Sequence, residues 1–171
     1  MKIHEKNISK SIDLNIIGTA NITKVCKKYN VKLIYFSTGY VYEGKKGNYK
    51  EKDPVLPINN YAWSKLGGEC SVIMYKNSLI LRIIMCERPF IHKYAFSDIK
   101  TNFIFHDQVA KIIPKILNKK GILNIGGKIQ SVYHFAKKTK QNVKKSSGRK
   151  IFPKNPSMNI NKLKKIINNK F

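Results

Sequence analysis

Two short apolar runs constrain this chain more than any other feature. VKLIYFST, residues 31 to 38, and NSLILRII, residues 77 to 84, are rich in β-branched and aromatic residues, as strands of a buried parallel sheet are. Helical spacing precedes each run. From Ser9 to Tyr29 apolar residues recur at 12, 16, 20 and at 14, 17, 25, with Asn30 as a left-handed stop, and Tyr61 to Tyr75 returns to the same period. Helix then strand, twice over, predicts an α/β fold: part of a Rossmann-like, doubly wound parallel sheet.

Between the two units, Gly39 to Asn60 reads as loop, punctuated by Gly44, Gly47, Asp53, Pro54 and Pro57. After the second run the pattern predicts irregular chain to about Phe105, a helix near Asp107 to Asn118, a short strand GILNIG at 121 to 126, and a helix from about Val132. A last short helix fits Ile160 to Ile167, in a Lys/Asn-rich stretch from Gln141 that is otherwise expected to be partly mobile. At 171 residues the chain is long enough for one real core. We divide it into a truncated Rossmann-like domain, residues 1 to 126, and a small, basic α/β carboxyl-terminal extension, residues 127 to 171, partly helical or mobile.

The formal net charge of +25 invites a polyanionic partner. Yet only Arg82, Arg88 and Arg149 among the 34 basic residues are arginine, whereas nucleic-acid recognition favours arginine's bidentate fork. A solvated lysine surface is the better reading, with nonspecific polyanion binding expected from the stretch after Gln108, where 17 Lys/Arg meet no carboxylate. Cysteines 26, 70 and 86 form neither a C-x-x-C pair nor a disulfide framework, so a reducing, cytoplasmic location is expected. No apolar stretch marks a signal peptide or membrane span. His4, His92, His106 and His134 lack metal-ligand spacing, so no metal is expected.

The chemistry centres on YAWSK, residues 61 to 65. Four residues apart on a helix, Tyr61 and Lys65 face the same way, and a nearby cation draws a phenol toward a usable general acid or base. Ser37 and Thr38 end a predicted parallel strand, where ligands of open α/β sheets sit. A hydroxyl there would hydrogen-bond a substrate carbonyl and orient it toward Tyr61. Arg82, ending the second strand, suits either a substrate phosphate or a structural ion pair. Gly67 and Gly68, inside a helix at about 1 kcal/mol each relative to Ala, suggest close helix packing against Gly18.

FSTGYVYEG, followed by KGNYKEKDPVLPINNYAWSKLGGE and then LILR, resembles the extended short-chain dehydrogenase/reductase superfamily, and within it the dTDP-4-dehydrorhamnose reductase group. The similarity runs from about Ile12 to about Gly126. It implies an NAD(P)-dependent reductase that passes hydride from NADPH or NADH to the C4 ketone of a 4-keto-6-deoxy nucleotide sugar, in rhamnose biosynthesis. By position, Thr38 would bind the ketone oxygen, Tyr61 would donate the proton, and Lys65 would tune Tyr61 and hold the nicotinamide ribose. Asn15, in NIIGT, would match a helix asparagine near the active site.

The chain departs from that pattern in two places. It begins at what looks like the end of the βαβ unit whose glycine-rich turn approaches the cofactor pyrophosphate. It also reads Ser37, Thr38, Gly39 where the family usually reads Ser-Thr-Asp. GILNIGGK, at 121 to 128, lacks the spacing of a phosphate loop and reads as a strand-end turn. Weak NAD(P) binding is therefore expected of this chain alone, with a second polypeptide to complete the sheet. A non-catalytic remnant or regulatory subunit of the same fold is the alternative reading, and a basic polyanion-binding protein a third.

Overall fold

The computed structural model of this chain describes residues 2–148, 150 and 152–168. Arg149, Ile151 and residues 169–171 of the tail lie outside them.

The centre of the molecule is a parallel sheet of β1 (Leu33–Thr38), β2 (Ser78–Ile83) and β7 (Gly121–Ile125), in the order β1-β2-β7. Leu33 pairs with Ser78 through to Thr38 with Ile83, and Leu79 with Gly121 through to Ile83 with Ile125. All three carboxyl ends therefore lie at one edge. β2 is buried at every position, because it has a strand on each side and helices on both faces. Among the described residues β1 is paired on one side only, with β2.

Side-chain alternation sends the two faces to different partners. Leu79, Leu81, Ile83, Leu123 and Ile125 pack against Val109, Ile112 and Ile116 of α5 (His106–Ile116) and against Leu163 of α7 (Asn161–Ile166). Each such fully buried side chain contributes roughly 1.5–3 kcal/mol. Tyr35 and Ile80 on the other face meet Val72 of α4 (Asn60–Ile73). Outside α4 lies the amino-terminal helical segment: α1 (Lys2–Lys6), then α2 (Ile8–Ile12), a π turn (Asp13–Ile17) and α3 (Gly18–Lys28), the last three running on without a break. Asn30 then takes φ 54°, the left-handed stop its position predicts.

The chain from 85 to 146 contributes small paired strands. β3 (Met85–Cys86) pairs with β6 (Ile104–Phe105), β4 (Tyr94–Phe96) with β9 (Lys144–Ser146), and β5 (Lys100–Thr101) with β8 (Gln130–Ser131). α6 (Val132–Lys137) closes a second cluster of Phe90, Ala95, Ile99, Val132, Ala136 and Val143.

Three expectations are corrected. The helical period from 9 to 29 is interrupted by the π turn, which explains Gly18. Its N–H bonds back to the Asp13 carbonyl, and a Cβ there would lie 3.2 Å from that oxygen. Gly18 thus serves the turn and not the packing of Gly67 and Gly68. Those face Ile16 and, for Gly68, the Tyr35 hydroxyl and the Asn15 carbonyl, which a Cβ would approach to 2.3 and 2.5 Å. The described part of the tail is also packed. Asn102 bonds Met158 through both side-chain atoms, at 3.0 and 3.1 Å, and Leu163 and Ile167 share the core of β2 and β7. Polar sequence concealed this because the anchors are single residues spaced far apart.

Candidate active site

β1 delivers Ser37 and Thr38 to the carboxyl edge of the sheet, both buried. Thr38 is extended at φ −137°, and its Oγ1 accepts a hydrogen bond from the Tyr40 N–H at 3.2 Å, which turns the chain away from the strand. The loop that follows returns to start α4 beside that edge. Buried Asn59 caps the helix by accepting from the Ala62 N–H at 2.8 Å. A carboxylate of α1 assists: Glu5 Oε1 accepts from the Tyr61 N–H at 3.1 Å, and the His4 ring lies 5.2 Å from that of Tyr61.

The Tyr61 phenol lies beside Thr38: burial raises it above its ordinary range, and the Thr38 side chain offsets part of the rise. At neutral pH Tyr61 therefore holds its proton, as a general acid must. Asn15, in the π turn, donates to the Ser64 hydroxyl at 2.9 Å, and Ser64 in turn donates to the Tyr61 carbonyl at 2.8 Å. Asn15 thus braces the first turn of α4.

Lys65 occupies the same face of α4, but its ammonium lies over the Tyr35 ring, 4.2 Å from the centroid. Burial lowers it from 10.5 to about 8, and the charge of Glu69 opposes that fall. The expected lowering of the Tyr61 phenol by Lys65 is not what the site shows: burial raises the phenol, and Thr38 is what opposes the rise.

Of the two roles expected for Arg82, the structural ion pair is the one observed, and the substrate phosphate contact is not. Its Nε donates to both Glu69 oxygens at 3.1 and 3.2 Å, its Nη2 to Glu69 Oε2 at 2.7 Å, and its Nη1 to the Tyr42 hydroxyl at 2.9 Å. Only 4% of Arg82 is exposed, so its guanidinium is spent inside the protein. Ser37 also donates to Glu69. The sequence reading missed Glu69, although it continues the helical row of Tyr61 and Lys65 by one more turn and its spacing was a usable signal. At Gly39 a Cβ would fall within 2.8–2.9 Å of the Ile84 and Met158 side chains, which would have to shift to admit a larger residue.

A nicotinamide cofactor fits these residues at one end only. Tyr61 and Lys65 suit the nicotinamide ribose, but among the described residues no glycine-rich turn joins a strand of the sheet to a helix. The glycines at positive φ, Gly44, Gly47 and Gly121, lie elsewhere. The pyrophosphate has no cradle in the described chain. Among the described residues no cluster suits a metal, and no helix is long and apolar enough to cross a membrane.

A parallel sheet layered with helices, with Ser-Thr ending a strand beside a Tyr-x-x-x-Lys helix, is the arrangement of Rossmann-like reductases of the extended short-chain dehydrogenase/reductase superfamily. The RmlD substrate binding domain family matches residues 3–86. The dTDP-4-dehydrorhamnose reductase of Aggregatibacter actinomycetemcomitans is 32% identical over 80 residues, 46% of this chain and 27% of that protein. Methionine adenosyltransferase 2 subunit beta of Xenopus laevis is 34% identical over 71 residues, 41% and 21% of the respective chains. The matched stretch is thus about a quarter of the curated relatives' length. Among solved structures, a hypothetical dTDP-4-dehydrorhamnose reductase from Sulfolobus tokodaii superposes with a TM-score of 0.84 at 27% identity, over 97% of this chain and 70% of that one. One from Bacillus anthracis, in complex with NADP, shares the fold at a TM-score of 0.77. Over the matched residues the chain is similar to the dTDP-4-dehydrorhamnose reductases.

Proposed function

We propose that this chain is the substrate-side portion of an NAD(P)-dependent sugar-nucleotide reductase of the dTDP-4-dehydrorhamnose reductase type. The observation that carries the reading is that β1 and α4 bring the buried Thr38 and the Tyr61 phenol together at the carboxyl edge of the sheet, near enough for Thr38 to stabilise the phenolate. A ketone oxygen placed between them accepts a hydrogen bond from Thr38 and a proton from Tyr61, which burial keeps protonated at neutral pH. Lys65, close to half-protonated near pH 8, lies one helical turn on and supplies positive charge to the nicotinamide ribose. The cofactor supplies hydride when bound, and its pyrophosphate is held by a second polypeptide that pairs with the open edge of β1. The three free cysteines suit a reducing cytoplasm.

The test adds a glycine-rich βαβ polypeptide in trans to the purified chain. NADPH-dependent reduction of a 4-keto-6-deoxy nucleotide sugar is expected, and Tyr61→Phe is expected to remove it. Turnover that survives Tyr61→Phe would refute the assignment. A second reading, a regulatory subunit without catalysis, is favoured by Lys65 resting on Tyr35 and by the similarity to methionine adenosyltransferase 2 subunit beta. It predicts partner binding with no turnover under the same conditions.

A further inference from the structure

One rung of the sheet is polar on all three strands. Ser37 of β1 pairs with Arg82 of β2, and Arg82 with Asn124 of β7, one residue before the level of Thr38. All three are buried, and by alternation they share the sheet face of Tyr35 and Ile80, beneath α4. Buried Glu69 of α4 meets this rung. It accepts from Arg82 through both oxygens and from the Ser37 hydroxyl. At the other end, Arg82 Nη1 donates to the Tyr42 hydroxyl at 2.9 Å and to the Glu51 carbonyl at 3.3 Å, and the Asn124 amide donates to the Tyr49 and Asn159 carbonyls at 2.8 and 3.3 Å. The Glu69 carboxylate is therefore held from two strands, and its negative charge is fixed in one place on α4.

That place lies one helical turn beyond Lys65, on the same row. The Lys65 ammonium rests 4.2 Å from the centroid of the Tyr35 ring, and the Tyr35 hydroxyl donates to the Lys65 carbonyl at 3.1 Å, which ties β1 to this turn of α4. The other titratable groups around it are Tyr61 on α4 and His4 on α1. Burial raises Tyr61 and lowers His4, so neither offers Lys65 a negative charge at neutral pH. Glu5 of α1 spends its Oε1 on the Tyr61 N–H. Arg82 carries the charge opposite to Glu69, but its Nη1 is turned to Tyr42 and Glu51, whereas the carboxylate belongs to α4 itself. The charge of Glu69 accordingly opposes the desolvation that brings Lys65 down to about 8.

We infer that Glu69 is a positioning residue for Lys65: gripped by Ser37 and Arg82, its carboxylate holds the Lys65 ammonium as a cation on the face of α4 that carries Tyr61. The inference rests on the reductase reading for the reaction that this charge serves; the coupling of Glu69 to Lys65 rests on α4 and the polar rung.

The test follows the pH titration of Lys65 by NMR in the full chain, isotope-labelled at lysine Cε, with the signal assigned by its loss in Lys65→Met. Glu69→Gln keeps the shape and an acceptor oxygen and removes the charge. Glu69→Met/Arg82→Met replaces the whole ion pair by apolar side chains, which keeps the question open to measurement where a lone buried guanidinium unfolds the single variant. Glu43→Gln, at an exposed ion pair with Lys45, is the control. The parent is expected to titrate near pH 8. Glu69→Gln should weaken proton binding at Lys65 about tenfold, the double variant less but in the same direction, and the control should leave it unchanged. A Lys65 titration unmoved in the Glu69 variants, or moved equally by the control, would overturn the inference, and no cofactor or substrate enters that measurement. In the completed enzyme, the alkaline limb of the kcat profile should move to lower pH with the Lys65 titration; a limb that stays in place would also overturn it. A completed enzyme with no turnover at all would refute the proposed function and leave the Glu69–Lys65 coupling standing.

Discussion

Lys65 is the residue at which burial and chemistry pull hardest against each other. Its pKa falls from 10.5 to about 8 on folding. Between those values the unfolded chain holds a proton that the folded chain has released, so stability rises with pH across that window. Below it both states are protonated and the full desolvation cost is present. Lys65→Met removes that cost while keeping the side-chain stem. We expect the variant to be more stable than the parent at neutral pH by about 2 kcal/mol, a figure discounted for partial exposure, with the advantage shrinking toward pH 10. Urea unfolding of both proteins at neutral and alkaline pH measures it; an advantage that grows with pH would contradict the assignment.

At the scale of elements, α4 carries Tyr61, Lys65 and Glu69 on one row and lies close to β1 and the π turn. Gly68 permits that approach. A Cβ at Gly68 would meet the Asn15 carbonyl at 2.5 Å, and backbone cannot swing aside as a flexible side chain can. Gly68→Ala is therefore expected to destabilise by about 1–3 kcal/mol, despite alanine's better helix propensity, and to loosen the Asn15–Ser64 brace. Thermal melting gives the sign, and a higher melting temperature would mean that the two elements are farther apart than described. Gly67, whose Cβ would meet only the flexible Ile16 side chain, is the matched comparison and should lose less.

At the scale of the whole molecule, the open edge of β1 coincides with uncovered apolar surface. Ile22 and Val25 of α3 and Tyr29, which caps it, are 52–65% exposed, and Phe36 of β1 is 39% exposed. An unpaired parallel edge beside apolar side chains is an association hazard. The high positive charge opposes self-association, so aggregation is expected to rise with salt. Replacing Ile22 and Val25 by lysine should suppress that aggregation and change the folding stability by no more than about 0.5 kcal/mol, since neither side chain is buried. Light scattering against salt, read beside melting temperature, checks both; a large loss of stability would show that the face is already covered.

By itself the sequence determined the α/β class, the three strands of the sheet, the left-handed stop at Asn30 and the candidacy of Thr38, Tyr61 and Lys65. These are written in local terms: apolar period, turn residues and spacing on one helix. Tertiary structure alone decided what each charged group faces. Arg82 and Glu69 are 13 residues apart on different elements, and only the stacking of α4 over β2 turns Arg82 inward. Lys65 shares a face with Tyr61, as the four-residue spacing requires, but the neighbouring strand supplies the Tyr35 ring that captures its ammonium. The tail's anchors at Met158 and Leu163 were illegible for the same reason. Which apolar residue is buried depends on what arrives opposite it, and that partner lies tens of residues away in the chain.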